Sequence, residues 1–199
     1  MTDISTFLIL NGYETVEGNC GENEEQRKDL IALTSKANIN IMEIGFNAGH
    51  SSEVFLKNNL TCKVTSFDIG THDYLIKGKE FIDNNYPNRH TLILGDSTLT
   101  IPEFIKNNKD NVKFDFIFID GGHSYEVALA DMTNCFELAH KDTVVALDDT
   151  VFNKQWELSW NIGPTSVWRK FVSDKKVSQL YSKDYAPGRG MSYGNYITM

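Results

Sequence analysis

Acidic residues, glycines and one histidine recur in five short stretches, each placed directly after an apolar run. The first reads Glu43-Ile44-Gly45-Phe46-Asn47-Ala48-Gly49-His50-Ser51-Ser52. Its glycines let the backbone turn tightly and approach a ligand, and the helix that follows offers free N–H groups to a carboxylate or phosphate. It is not the dinucleotide fingerprint G-x-G-x-x-G, because Asn47 stands where the second glycine would be. A glycine-assisted strand-to-helix turn is the plainer reading. The second stretch is Phe67-Asp68-Ile69, with Asp68 23 residues beyond Gly45, close to the spacing at which a carboxylate grips ribose hydroxyls; an Asp that caps a loop fits as well. The third, Gly95-Asp96-Ser97, offers an acceptor and a backbone amide to a base, or a simple helix cap. The fourth and fifth are Ile119-Asp120-Gly121-Gly122-His123-Ser124-Tyr125 and Leu147-Asp148-Asp149-Thr150. Together these stretches describe a nucleoside-bearing ligand lying across several loops.

Such loops need a frame that brings them to one edge. Short β-branched or aromatic runs at 39–44, 63–67, 91–94, 114–119 and 143–147 alternate with helical stretches at 22–37, 51–59, 75–85, 101–107 and 125–139, the cadence of βαβ units. Strands apolar on both faces indicate a parallel sheet covered by helices. After Asp149 the rhythm changes: a helix from Pro164 to about residue 172, then strands at 177–181 and 195–199 reached through Pro187, Gly188 and Gly190, predict a closing edge hairpin. The expected fold is α/β, a single Rossmann-like, doubly wound domain over 1–199. It has a mostly parallel seven-stranded sheet, an antiparallel C-terminal hairpin, an N-terminal extension and helix over 1–38, and a ligand-binding core over 39–149. In such sheets ligands bind beyond the carboxyl ends of the strands.

The order of these strand ends over residues 22–150 resembles the class I S-adenosylmethionine-dependent methyltransferases, and within them the small-molecule O-methyltransferase branch whose strands end in I-D-G-x-H-x-Y and L-D-D. The resemblance implies that Glu43, Gly45, Asn47 and Gly49 surround the methionine part of S-adenosylmethionine. It further implies that Asp68 holds the ribose, and that Ile69, Asp96 and Ser97 flank the adenine. Metal-dependent members of the branch place acidic ligands after the fourth and fifth strands, where Asp120, Asp148 and Asp149 stand here; oxygen ligands suit Mg²⁺ or another hard divalent cation. Some relatives carry a further acidic residue where this chain has Gly122. His123 is then the candidate general base, since an imidazole takes up a proton near neutral pH, with Asp120 beside it in the catalytic set. A metal-ligand role for His123, or a structural one opening the next helix, stays open. Residues 150–165 form a candidate substrate lid, with Trp156 and Trp160 spaced to share one face of a short helix.

Composition narrows the partners. The 19 Lys and Arg stand against 27 Asp and Glu, a formal charge of -8, which opposes non-specific binding to a phosphate backbone. No nucleic acid or membrane partner is expected; the expected partner is a small-molecule acceptor, a sugar or nucleotide-linked sugar ahead of a phenol. Three cysteines without C-x-x-C spacing predict free thiols and a cytoplasmic protein. His50, His72, His90 and His140 read as surface or loop residues. The segment before Glu22 shows few core anchors and is expected to be free to pack on a second copy in a homo-oligomer. Two rival readings are a nicotinamide-dependent oxidoreductase and a methyltransferase-like binding module without turnover.

Overall fold

A computed structural model describes residues 2–108 and 111–197. The order is α1 (Ile4–Leu10), a 3-10 turn (Cys20–Glu22), α2 (Glu24–Leu33), β1 (Asn40–Ile44), α3 (His50–Asn58), β2 (Lys63–Asp68), α4 (Leu75–Asn85), β3 (His90–Leu94) and α5 (Ser97–Asn108). It continues through β4 (Phe114–Ile119), α6 (Tyr125–Phe136), β5 (Ala139–Asp148), a second 3-10 turn (Lys154–Trp156), α7 (Ile162–Ser173), β6 (Val177–Ala186) and β7 (Arg189–Tyr196).

The seven strands form one sheet in the order β3-β2-β1-β4-β5-β7-β6. β7 runs against its neighbours β5 and β6, so six strands share one direction. The order reverses between β1 and β4, and the crevice opens above that point. Alternation along the central strands feeds both faces. Ile41, Phe116 and Phe118 join the core under α1, α3 and α4, whereas Met42, Ile44, Ile117 and Ile119 join the core under α5, α6 and α7. Phe55 of α3 meets Phe116 and Phe118 edge-on at 5.9 and 6.0 Å between ring centroids, a geometry that adds about 0.5 to 1.5 kcal/mol per pair beyond area burial.

Several boundaries differ from the sequence expectation for local physical reasons. The helix expected at 101–107 starts at Ser97, because Asp96 Oδ1 accepts from the Thr98 amide at 2.9 Å and caps it. The helix expected to reach 139 ends at Phe136, and β5 starts at Ala139 through the polar residues His140 to Asp142. The closing hairpin is longer than its apolar signal. β6 lies at the sheet edge with mostly exposed or half-buried side chains, so it lacks an alternating pattern, and β7 begins at Arg189, just after Pro187 and Gly188. The last strand expected at 195–199 is therefore shifted towards the N-terminus, and its residues 198 and 199 lie outside the described residues. The N-terminal segment does hold core anchors: Ile4 and Leu8 are each 1% exposed, and Phe7 packs on Phe81 with centroids 5.3 Å apart. A seven-residue helix gives two buried positions, too few to register as periodicity. No described helix is long and apolar enough to cross a membrane.

Candidate active site

β1 ends against β4. The Gly45 amide donates to Phe67 O and the Asp120 amide to Ile44 O, both at 2.8 Å. A side chain at Gly45 would sit 1.9 Å from Asp120 O, and φ there is +93°, so only glycine allows the first loop to meet the fourth. Asn47 also takes a left-handed φ of 51°, which Asn tolerates better than most residues. Its amide donates to Asp68 Oδ2 at 2.7 Å, and its side chain donates to Glu17 O at 2.6 Å and Gly18 O at 3.2 Å. The chain preceding α2 thus crosses over this loop. Asp68 Oδ1 accepts from the Gly70 amide at 2.8 Å. The Asp68 carboxylate caps two loop amides, and its half-exposed oxygens keep further lone pairs for a ligand.

Glu43 is fully buried. Ser51 donates to its Oε1, and Ser52 and Ser66 donate to Oε2 at 2.7 and 2.5 Å. Burial pushes its carboxyl pKa up against these three bonds. His90 Nε2 lies 2.9 Å from Ser66 Oγ. His90 and His50 are therefore not the surface residues the sequence suggested: both are buried, and burial lowers their pKa values to about 3 and about 4. His50 Nε2 lies 3.0 Å from Ser5 Oγ. His72 and His140 sit beside Glu17 and Asp115 at 3.0 and 3.2 Å. Beyond β2 and β3, Ile69, Leu94 and Leu99 leave apolar side chains 50 to 70% exposed around Asp96 and Ser97, a wall suited to the face of a base.

Across the switch point the charges converge. Asp120, His123 and Asp149 each offer a ligand atom, and these atoms lie within 4.8 Å of one another. Asp149 has φ +53°, a strained position of the kind that gathers at functional sites. Its Oδ2 lies 3.0 Å from His123 Nε2, while Oδ1 is buried without a hydrogen-bond partner. Burial first, then the charges of Asp148 and Asp149, pushes Asp120 well above the usual carboxylate range. Asp148 is raised by burial and by Asp149, and the bond to Asp149 raises His123. Asp148 adjoins this cluster, but both its oxygens accept from Gln26 Nε2, at 2.8 and 2.7 Å. Like charges held this close favour a cation between them, and the donor set of carboxylate oxygens with one imidazole, including an orphaned buried oxygen, fits a divalent ion.

Size and chemistry point to different places. A cavity of about 610 Å³ lies between α1, α2 and α3, bordered by Leu8, Arg27, His50 and Lys57 among others, with charges of both signs. The space among Asp120, His123, Asp148, Asp149 and Pro164 is only about 10 Å³, room for one water-sized or ion-sized occupant. Convergent carboxylates make the second the candidate for chemistry.

The segment after β5 is tied down. The amides of Phe152 and Asn153 donate to Asp184 at 2.9 and 2.7 Å, and the Val151 amide donates to Thr165 Oγ1 at 2.9 Å. Trp156 and Trp160 do not share a helix face, since the 3-10 turn ends at Trp156; Trp160 is 41% exposed and borders Gly188. At the far end, a side chain on Gly163 would come within 2.3 Å of His123 O, so α7 starts directly on the His123 loop.

Sequence reasoning missed Gln26, which sits in a polar helix with no distinguishing pattern. It also missed Arg189, whose guanidinium lies against Gly18 and whose charge lowers the pKa values of Asp120 and Asp148. Asp131 was missed despite a signal: a carboxyl among Ala128, Met132 and Cys135 on the apolar face of α6. It is fully buried and neither oxygen makes a hydrogen bond.

An open α/β sheet with loop-bound acids on both sides of its switch point is an architecture that binds ligands in the crevice above the strand ends. Residues 42–150, more than half of the chain, match the family described as a methyltransferase domain, and the chain belongs to that family. It is a methyltransferase with the class I fold, which sets aside the nicotinamide reading. No curated protein matches the sequence. Among solved structures, the O-methyltransferase from Bacillus cereus in complex with SAH is similar at TM-score 0.74 and 19% identity, covering 98% of this chain and 92% of that one. TomG from Streptomyces achromogenes, an O-methyltransferase of tomaymycin synthesis in complex with SAM, gives 0.73 and 13%, over 97% and 87%. CalS11, a TDP-rhamnose 3'-O-methyltransferase of calicheamicin biosynthesis, gives 0.65 and 21%, over 96% and 90%.

Proposed function

We propose that the protein uses S-adenosylmethionine to methylate a hydroxyl of a small acceptor, a sugar or nucleotide-linked sugar ahead of a phenol, with a divalent cation at the acidic pocket. The observation that carries this reading is the meeting of Asp120, His123 and Asp149 within 4.8 Å, one switch point away from the Gly45–Asp68 loops. Glu43, Gly45, Asn47 and Gly49 take the methionine end of the cofactor, Asp68 the ribose, and Ile69, Asp96 and Ser97 the adenine. When bound, S-adenosylmethionine supplies an electrophilic methyl group on a sulfonium. A cation held by Asp120, Asp149 and Asp148 would supply a Lewis-acid contact that makes an acceptor hydroxyl easier to deprotonate.

The chain's own part is positioning and proton transfer. His123 donates its Nε2–H to Asp149 Oδ2 at 3.0 Å, which leaves Nδ1 to accept the hydroxyl proton; this requires neutral imidazole, so turnover rises with pH through its raised pKa. Methyl transfer is an in-line displacement, in which aligning the reacting atoms supplies most of the rate gain. Residues 150–165, tied to Asp184 and Thr165, cover the acceptor side. The sugar preference draws support from the likeness to CalS11 and from the basic residues after Thr165, namely Arg169, Lys170, Lys175, Lys176, Lys183 and Arg189, which suit a phosphate-bearing substrate. The test is a methyl-transfer assay on nucleotide sugars, free sugars and catechols, with Mg²⁺ and with chelator. Metal-dependent product on a sugar hydroxyl bears the reading out. Turnover untouched by chelator removes the cation, and product on nitrogen or carbon removes the O-methyl assignment.

A further inference from the structure

Gln26 and Asp148 are 122 residues apart in sequence, yet they form a buried two-point contact. Gln26 Nε2 donates to Oδ1 at 2.8 Å and to Oδ2 at 2.7 Å, and the two residues are 2% and 5% exposed. An amide in this place has a particular consequence. From one nitrogen it reaches both oxygens and so limits where the carboxylate can move, yet it is neutral, so the negative charge survives; a lysine or arginine there would cancel the field that attracts a cation. Each carboxylate oxygen keeps a second lone pair. The helix that delivers the amide is held on either side: Lys183 Nζ lies 2.7 Å from Glu25 Oε2, and Tyr185 OH donates to Asp29 Oδ2 at 2.6 Å. α2 is thereby docked on the β6 edge of the sheet with Gln26 facing the acidic pocket.

We propose that Gln26 is a positioning residue for cation uptake: it holds Asp148 in the orientation that completes the Asp120–His123–Asp149 pocket, and so makes the N-terminal helix part of the metal site. This inference rests on the reading of that pocket as a divalent-cation site. Groups that orient metal ligands by hydrogen bonds typically change metal affinity by roughly 10- to 100-fold when removed.

The experiment is isothermal titration of the full-length protein with Mn²⁺, comparing wild type, Gln26→Met and Asp29→Asn, with thermal melts to confirm folding. Gln26→Met keeps the volume of the side chain and removes the donor; Gln26→Leu is the second variant should methionine fail to pack. Asp29→Asn disturbs the docking of α2 at Tyr185 and leaves Asp148 untouched. The expected result is saturable Mn²⁺ binding by wild type, a loss of about 10-fold or more in Gln26→Met, and unchanged affinity in Asp29→Asn. Wild-type affinity in Gln26→Met overturns the inference while leaving the cation site standing. Equal losses in Gln26→Met and Asp29→Asn overturn it too, since they would report loosening of the helix. A wild type that takes up no Mn²⁺ removes the cation site itself, and the inference with it.

Discussion

At the ends of β1, β2 and β3, Glu43, Asp68 and Asp96 each accept hydrogen bonds from nearby hydroxyls or loop amides. At the ends of β4 and β5, Asp120 is raised by burial and by the charges of Asp148 and Asp149, Asp148 is raised by burial and by Asp149, and Asp149 keeps a buried oxygen with no partner. The first group forms a frame completed by its own chain. The second is electrostatically unfinished and gains most from a bound cation. Two neighbouring halves of one sheet edge therefore do different work: one shapes a pocket and the other concentrates charge.

Breaking the charged half should have the largest effect. Asp120→Asn is expected to lower turnover roughly 10³-fold, about 4 kcal/mol of transition-state stabilisation, while S-adenosylhomocysteine affinity stays the same. The melting temperature should rise, because one of three crowded acids is gone. Activity within tenfold of wild type would mean that the pocket is structural.

The next effect concerns Asp131, buried beneath Gly121 and Ser97. Burial raises its pKa from 3.8 to about 6; the Ser97 hydroxyl opposes that rise but stands outside hydrogen-bond geometry. A folded-state pKa above the unfolded value means that the stability due to this carboxyl is fully present below pH 3.8 and is lost as pH rises through about 6. The difference is about 3 kcal/mol. Asp131→Asn should stabilise the protein at pH 8 and flatten this part of its stability profile between pH 4 and 7; denaturant melts across that range check it. An unchanged profile would show that the oxygens find partners in solution.

On the completed half the expected losses are smaller. Asp68→Ala should weaken S-adenosylhomocysteine binding by about 1 to 3 kcal/mol through lost hydrogen bonds, and the same affinity in both proteins would remove Asp68 from the site. Asp96→Ala removes the α5 cap and should lower stability by about 1 kcal/mol, read as a shift in the denaturant midpoint.

Much of this comparison was legible in the sequence. The five central strands followed from apolar runs with chemistry-bearing ends, because strands buried on both faces must be apolar throughout, whereas their order in the sheet did not. The five loops were found for the same reason. Contacts made through polar residues on polar elements left no mark: Gln26 sits in Glu24-Glu25-Gln26-Arg27, and the outer half of β6 reads Ser182-Lys183-Asp184. His90 shows another gap, since a histidine that starts an apolar strand reads as a loop residue until Ser66 and Ser52 are seen beside it. The tryptophan spacing misled because a helical interval needs a helix, and the chain between Trp156 and Trp160 turns to hydrogen-bond Asn161.

The loops of β1 to β3 are proposed to hold S-adenosylmethionine. The most direct test is isothermal titration of the protein with S-adenosylhomocysteine, with NAD⁺ as the comparison. Saturable one-to-one binding of S-adenosylhomocysteine and none of NAD⁺ is the predicted result. Absence of S-adenosylhomocysteine binding, with or without divalent cation, would contradict the account.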